Sequence, residues 1–170
     1  MDISAFNHVN DLSKWSMLFE DDKNIVAIHT EPCDEYMHSN GMLLAATNAV
    51  DLNNPDDTRN AGVIIYDSHL LKLDKDIQDF FINHEIGHIM NGDMKAASAK
   101  KSEMLLFLRK HGLIPIMEFK ADAFAAAVVG KNVAKKSFIQ LLKLKSLSFV
   151  SKRDILFRLI VMLALPIKNV

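Results

Sequence analysis

Residues 74–92 read DKDIQDFFINHEIGHIMNG, and the placement of every other element turns on what these nineteen residues form. Asp74 is positioned to cap a helix, Asp76 suits the positive end of its dipole, and Asn91-Gly92 stops it. Between those ends Ile77, Phe81, His84 and His88 share one face, while Phe80, Ile82, Ile86, Ile89 and Met90 fill much of the rest. A helix apolar nearly all round belongs in the middle of a domain, not on its surface. β-like runs come before it and helical periodicity after it, an order that predicts an α+β domain.

Upstream, Asn24–Thr30 (NIVAIHT), Met42–Val50 (MLLAATNAV) and Gly62–Tyr66 (GVIIY) read as strands, separated by Asn40-Gly41 and the Asn53–Asp57 loop. The second run is alanine-rich and is the poorest β-former of the three. Before them, Leu12, Trp15, Leu18 and Phe19 stand at helical spacing behind Asp11, which predicts a helix over residues 11–20. Downstream, helices are expected over Ala96–Lys110, from Pro115 to Val129 with Gly130 as its stop, and over Asn132–Leu144. A last helix follows Ser151, which with Asp154 forms a variant capping box. No repeat or linker divides the 170 residues, so one domain is expected: a small sheet of about three strands, the central helix, and a C-terminal helical bundle.

Composition narrows the class. With 49% apolar and 24% charged residues, the chain is neither a disordered tail nor a disulfide-stapled miniprotein, and its single Cys33 cannot pair within the chain. The N-terminus has no basic region followed by an apolar stretch, which argues against a signal peptide. The most apolar run, Ile155–Ile167, contains Arg158 and is shorter than the roughly 20 residues a bilayer span needs. A cytoplasmic protein without a membrane span is therefore expected. The formal net charge of −1 conceals a division: residues 1–94 carry 5 Lys+Arg against 17 Asp+Glu, and residues 95–170 carry 15 against 4.

The chemistry lies in His84-Glu85-Ile86-Gly87-His88. Two histidines four residues apart on a helix project from one face about 6 Å apart and can share one Zn²⁺. Glu85 sits about 100° round from His84, where its carboxylate reaches a water on the metal in preference to the metal itself, the position of a general base. A metzincin would need Gly at 91 and His at 94; Asn91 and Met94 exclude that class. Of the four acids in the basic half, Glu118 and Asp122 lie one turn apart in MEFKADAFAA, which is apolar on most sides. Buried carboxylates need something cationic opposite them. A zinc ion and the N–H of a zinc-bound imidazole would supply it, making Glu118 the third ligand and Asp122 the acceptor that orients a histidine. A solvated helix edge beside Lys120 is the alternative.

His84-Glu85-Ile86-Gly87-His88 with Glu118-Phe-Lys-Ala-Asp122 resembles the HExxH…ExxAD signature of gluzincin metallopeptidases. The resemblance covers mainly residues 74–130. It is to the catalytic core shared by CAAX-prenyl-protease and HtpX-type membrane peptidases and to small ImmA/IrrE-like phage or bacterial peptidases. It implies a zincin-like fold, Zn²⁺ on His84, His88 and Glu118, Glu85 as the base, and a protein or peptide substrate aligned on an edge strand, either 42–50 or 62–66. Spanning helices and an added DNA-binding-like domain are both missing, which leaves the substrate open. Tyr66, His69 and His111 are candidate donors to an oxyanion.

Two alternatives from other classes stand beside the peptidase. One is a catalytically idle, zinc-stabilised binding domain. The other is a nucleic-acid-associated protein using its basic C-terminal helices, for which no recognised motif is present. Cys33 lies among acids that disfavour a thiolate, and His29 and His38 lack the spacing of a second metal site.

Overall fold

The computed structural model describes residues 14–40, 43–48, 59–93, 116–143 and 152–164. Branched residues build its centre: β2 (Asn24–His29) and β4 (Asn60–Tyr66) run parallel, with Ala27 opposite Val63 and Ile28 opposite Ile64. Strands covered on both faces read as continuous apolar runs, as GVIIY does. β3 (Leu44–Asn48) lies antiparallel to β4 on one side, and β1 (Trp15–Glu20) lies antiparallel to β2 on the other. The sheet order is β1-β2-β4-β3, so β3 and β1 are its edges.

The sheet therefore has four strands where about three were expected, and the extra one replaces the helix expected over 11–20. The reason is local. The Asp21 carboxylate accepts the backbone N–H groups of Lys23 (2.8 Å) and Asn24 (2.6 Å), closing a tight turn that folds residues 15–20 back along β2. Residues 11–13 fall outside the described residues, as do the helix expected over 96–110, Pro115 and Ser151. The alanine-rich run is a strand, but an edge one.

One face of the sheet carries Ala27, Val63 and Ile65 against Cys33, Met37 and Trp15, where a short unanticipated helix, α1 (Asp34–Asn40), covers it. The other face, Val26 and Ile64, packs on Ile82, Ile86 and Ile89 of the central helix, α2 (Lys75–Met90). Asp74 holds the N-cap position without a side-chain capping bond; its carboxylate pairs instead with Lys136 at 2.8 Å. Gly92, at φ +70°, takes the left-handed conformation that ends α2. At Gly62 a Cβ would come within 2.5 Å of Ile89 Cγ1, so the bare backbone of β4 lets α2 lie close.

Three further helices, α3 (Ile116–Val129), α4 (Lys131–Lys143) and α5 (Lys152–Ala164), enclose the rest of α2. Phe80 meets Phe138 edge-on at 5.4 Å in a core shared with Ile77, Ala125, Ile155 and Leu159. The domain is α+β, the class that the sequence order predicts, and its four-stranded sheet is mixed. No helix among the described residues is long and apolar enough to cross a membrane.

Candidate metal centre

The expected constellation begins on α2, where His84 and His88 are both buried. Their Nε2 atoms face each other at 3.1 Å. α3 delivers Glu118 to the same point, with Oε2 3.6 Å from His84 Nε2 and Oε1 3.9 Å from His88 Nε2. Bonds of 2.0–2.1 Å at tetrahedral angles put zinc ligands about 3.3 Å apart, so these spacings fit one ion. The close approach of α3 depends on Gly87: a Cβ there would stand 3.1 Å from Ala121 Cα and 3.2 Å from Phe124 Cβ.

Each imidazole's other nitrogen meets a carboxylate. His84 Nδ1 donates to Asp122 Oδ1 at 2.9 Å, as the sequence predicts for Asp122. His88 Nδ1 donates to Asp93 Oδ2 at 3.0 Å, a partner the sequence reading misses. Such bonds turn both Nε2 lone pairs inward, the arrangement in which histidine serves as a metal ligand.

Arg158 of α5 is the larger omission. Its Nε and Nη2 clamp Asp122 at 2.8 and 2.6 Å, and Nη1 reaches Glu118 Oε2 at 3.0 Å. The sequence shows Arg158 only as a charge interrupting an apolar run; one-turn spacing from Ile155 and Met162 is the sole hint that it faces inward. The cation opposite the two α3 acids is therefore in part this guanidinium, and the solvated-edge alternative is corrected: Asp122 is 2% exposed.

Electrostatics still favour a further positive charge. Burial and then the Asp122 and Glu118 carboxylates act on His84 in opposite senses; the carboxylates win and its pKa is pushed up to about 9. Burial pushes Glu118 up, but His84 and Arg158 overcome it and hold the carboxyl well below the usual range. Asp122 is likewise lowered, by Arg158 and His84 against its burial. Burial lowers Arg158, yet Asp122, Glu118 and Glu85 keep it firmly protonated. With neutral imidazoles, Arg158 is the one guanidinium paired with Glu118 and Asp122 among the described residues, while Asp93 meets His88 alone. A proton shared by the two Nε2 atoms, or a metal ion held by them and Glu118, would supply that charge.

Glu85 turns to the sheet, not to the histidines' partners: Oε2 accepts the backbone N–H of Ala46 at 2.8 Å. Ala46 lies in β3, so the free edge of the sheet lies beside Glu85. Of the two edge candidates, the 42–50 run supplies the edge strand through its residues Leu44–Asn48, and residues 62–66 lie inside the sheet. Of the expected oxyanion donors, Tyr66 and His69 are engaged elsewhere. Tyr66 donates its hydroxyl to Thr30 O at 3.3 Å, His69 is bound to Asp67, and His111 is outside the described residues. Cys33 is buried with Met37 on the α1 side of the sheet, its thiol pushed up by burial and by Asp34. His38 groups with Asp67 and His69 and not with His29, whose Nδ1 lies 2.7 Å from Glu31 O. A groove of about 420 Å³ between the start of α2 and α4 gathers Lys72, Lys135, Lys136 and Lys143 beside Asp74 and does not include the histidines. Comparison with protein-family models, with curated proteins and with solved structures gave no match for this chain.

Proposed function

We propose that this protein is a zinc-dependent endopeptidase. The observation that carries the reading is the convergence of His84, His88 and Glu118, whose ligand atoms all lie within 4.8 Å of one another, each imidazole being oriented by its own carboxylate. Zn²⁺ held there would supply Lewis acidity and make water a nucleophile near neutral pH.

The chain's own groups do the remainder. Glu85 takes the proton of the attacking water and passes it to the leaving amine nitrogen. An extended peptide laid along the open edge of β3 adds a strand to the sheet through backbone hydrogen bonds. A substrate carbonyl that claims the Ala46 N–H releases Glu85 Oε2 for its proton transfer, so occupancy of the edge and readiness of the base go together. Arg158 holds Glu118 and Asp122 in place, and thereby His84.

Replacing Glu85 with Gln keeps the three ligands and removes the base. The zinc content of E85Q is expected to equal that of the wild type, while peptide-bond cleavage, read from new termini by proteomic comparison, falls by at least about 100-fold. Cleavage equal to that of the wild type would remove Glu85 from the mechanism.

A further inference from the structure

We propose that His38, Asp67 and His69 form a second site for a divalent transition-metal ion, separate from the His84–His88–Glu118 centre. One ligand atom from each lies within 4.8 Å of the others. The three residues come from two elements, His38 from the last turn of α1 and Asp67 and His69 from the loop after β4. Each oxygen of the Asp67 carboxylate faces one imidazole: Oδ1 meets His69 Nδ1 at 2.5 Å, and Oδ2 meets His38 Nε2. The rings flank the carboxylate with centroids 5.7 Å apart and planes inclined by 54°.

The argument starts from Asp67. It is 3% exposed, and among the described residues its ion-pair partners are the two imidazoles, with no lysine or arginine. A buried carboxylate is costly unless a cation faces it. Imidazoles provide one either by taking up protons or by sharing a metal ion with the acid. Two nitrogens and one oxygen suit Zn²⁺, Co²⁺, Ni²⁺ or Cu²⁺ and not Mg²⁺ or Ca²⁺, which prefer oxygen alone.

The ligand carriers are fixed in advance. Asp67 N–H donates to Leu43 O (3.0 Å), Ser68 N–H to Asp34 Oδ1 (2.6 Å) and His69 N–H to Asp67 Oδ1 (2.7 Å). Cys33 N–H donates to Tyr66 O at 2.8 Å, tying the start of α1 to the same strand end. The two rings remain open to solvent, with 56% and 59% of their side chains exposed, so an ion can enter and keep water on its remaining positions. Such an ion joins α1 to the loop that leads into α2.

The test compares zinc retained per chain after equilibration with zinc and removal of the excess, in the wild type, H38A/H69A and H38Q/H69Q. Wild type is expected to hold one ion more than either variant, whatever the state of the other centre, and H84A/H88A is expected to keep the His38–Asp67–His69 ion. The glutamine pair guards against loss of the fold in the alanine pair, and both positions are surface-exposed. Equal zinc content in the wild type and both double variants overturns the proposal.

Discussion

Arg158 shows how much a single side chain governs here, because two acids of α3, the buried Asp122 and the partly buried Glu118, are balanced by it. Removing one partner of a buried ion pair typically costs about 3–5 kcal/mol, since the charges left behind are neither hydrated nor paired. R158M should therefore lower the stability of the metal-free protein by that order, and by less once zinc is added to neutralise Glu118. Denaturant titration with and without zinc measures both values. His84 yields a second prediction. Its folded pKa of about 9 lies above the ordinary imidazole value of about 6.5, so the stability it contributes is complete below the latter and fades as pH rises through 9. Zinc bound by His84 would have to displace a proton held at that pKa. Its apparent affinity in chelator competition should rise about tenfold per pH unit from 7 towards 9 and then level off. An affinity flat across that range would mean that His84 is not protonated in the metal-free protein.

Among the elements, the contact of α2 with α3 sets the geometry of the candidate metal centre, and at Gly87 a Cβ would press on the α3 backbone at Ala121. G87A gains about 1 kcal/mol in helix propensity and loses a comparable amount to overpacking against Ala121, whose backbone cannot swing aside. Thermal stability should then change little while zinc affinity falls by roughly tenfold, because the helix that has to retreat is the one carrying Glu118. A calorimetric titration reads the affinity and a melting curve the stability. The element order was legible in the sequence: the apolar girdle of α2, the GVIIY run and the stop at Gly92 each impose one local answer. β1 was not. The spacing of Trp15, Leu18 and Phe19 fits a helix, and the turn that overrides it depends on Asp21 folding the chain against a partner strand. Ligand spacing within α2 and α3 is written in short-range periodicity, so His84, His88 and Glu118 could be singled out. Arg158 and Asp93 could not, because Arg158 meets Asp122 across 36 residues and Asp93 lies beyond the helix end, where no period constrains it.

At the scale of the whole molecule, the acidic and basic halves of the sequence meet along α2. Residues 1–94 furnish the sheet and α2; α3, α4 and α5 come from the basic remainder, and Lys136 crosses the divide to Asp74 and Asp76. An ion shared by His84, His88 and Glu118 would fasten one half to the other. Zinc at 100 times its dissociation constant adds about 2.7 kcal/mol, or roughly 5–10 °C in melting temperature for a chain of this length. Scanning calorimetry with chelator and with zinc should show that shift, and the part lost in H84A/H88A belongs to this centre. The notch at Gly62 bears on all of this. Ile89 seats in it immediately after His88, and neighbouring helix positions are separated by about 100° of azimuth. The notch therefore acts as a keyway for a shaft: with that tooth engaged, α2 cannot roll about its own axis. The bearing of both imidazoles toward α3 is thus indexed from the sheet, by a residue with no side chain on a strand that bears none of the ligands.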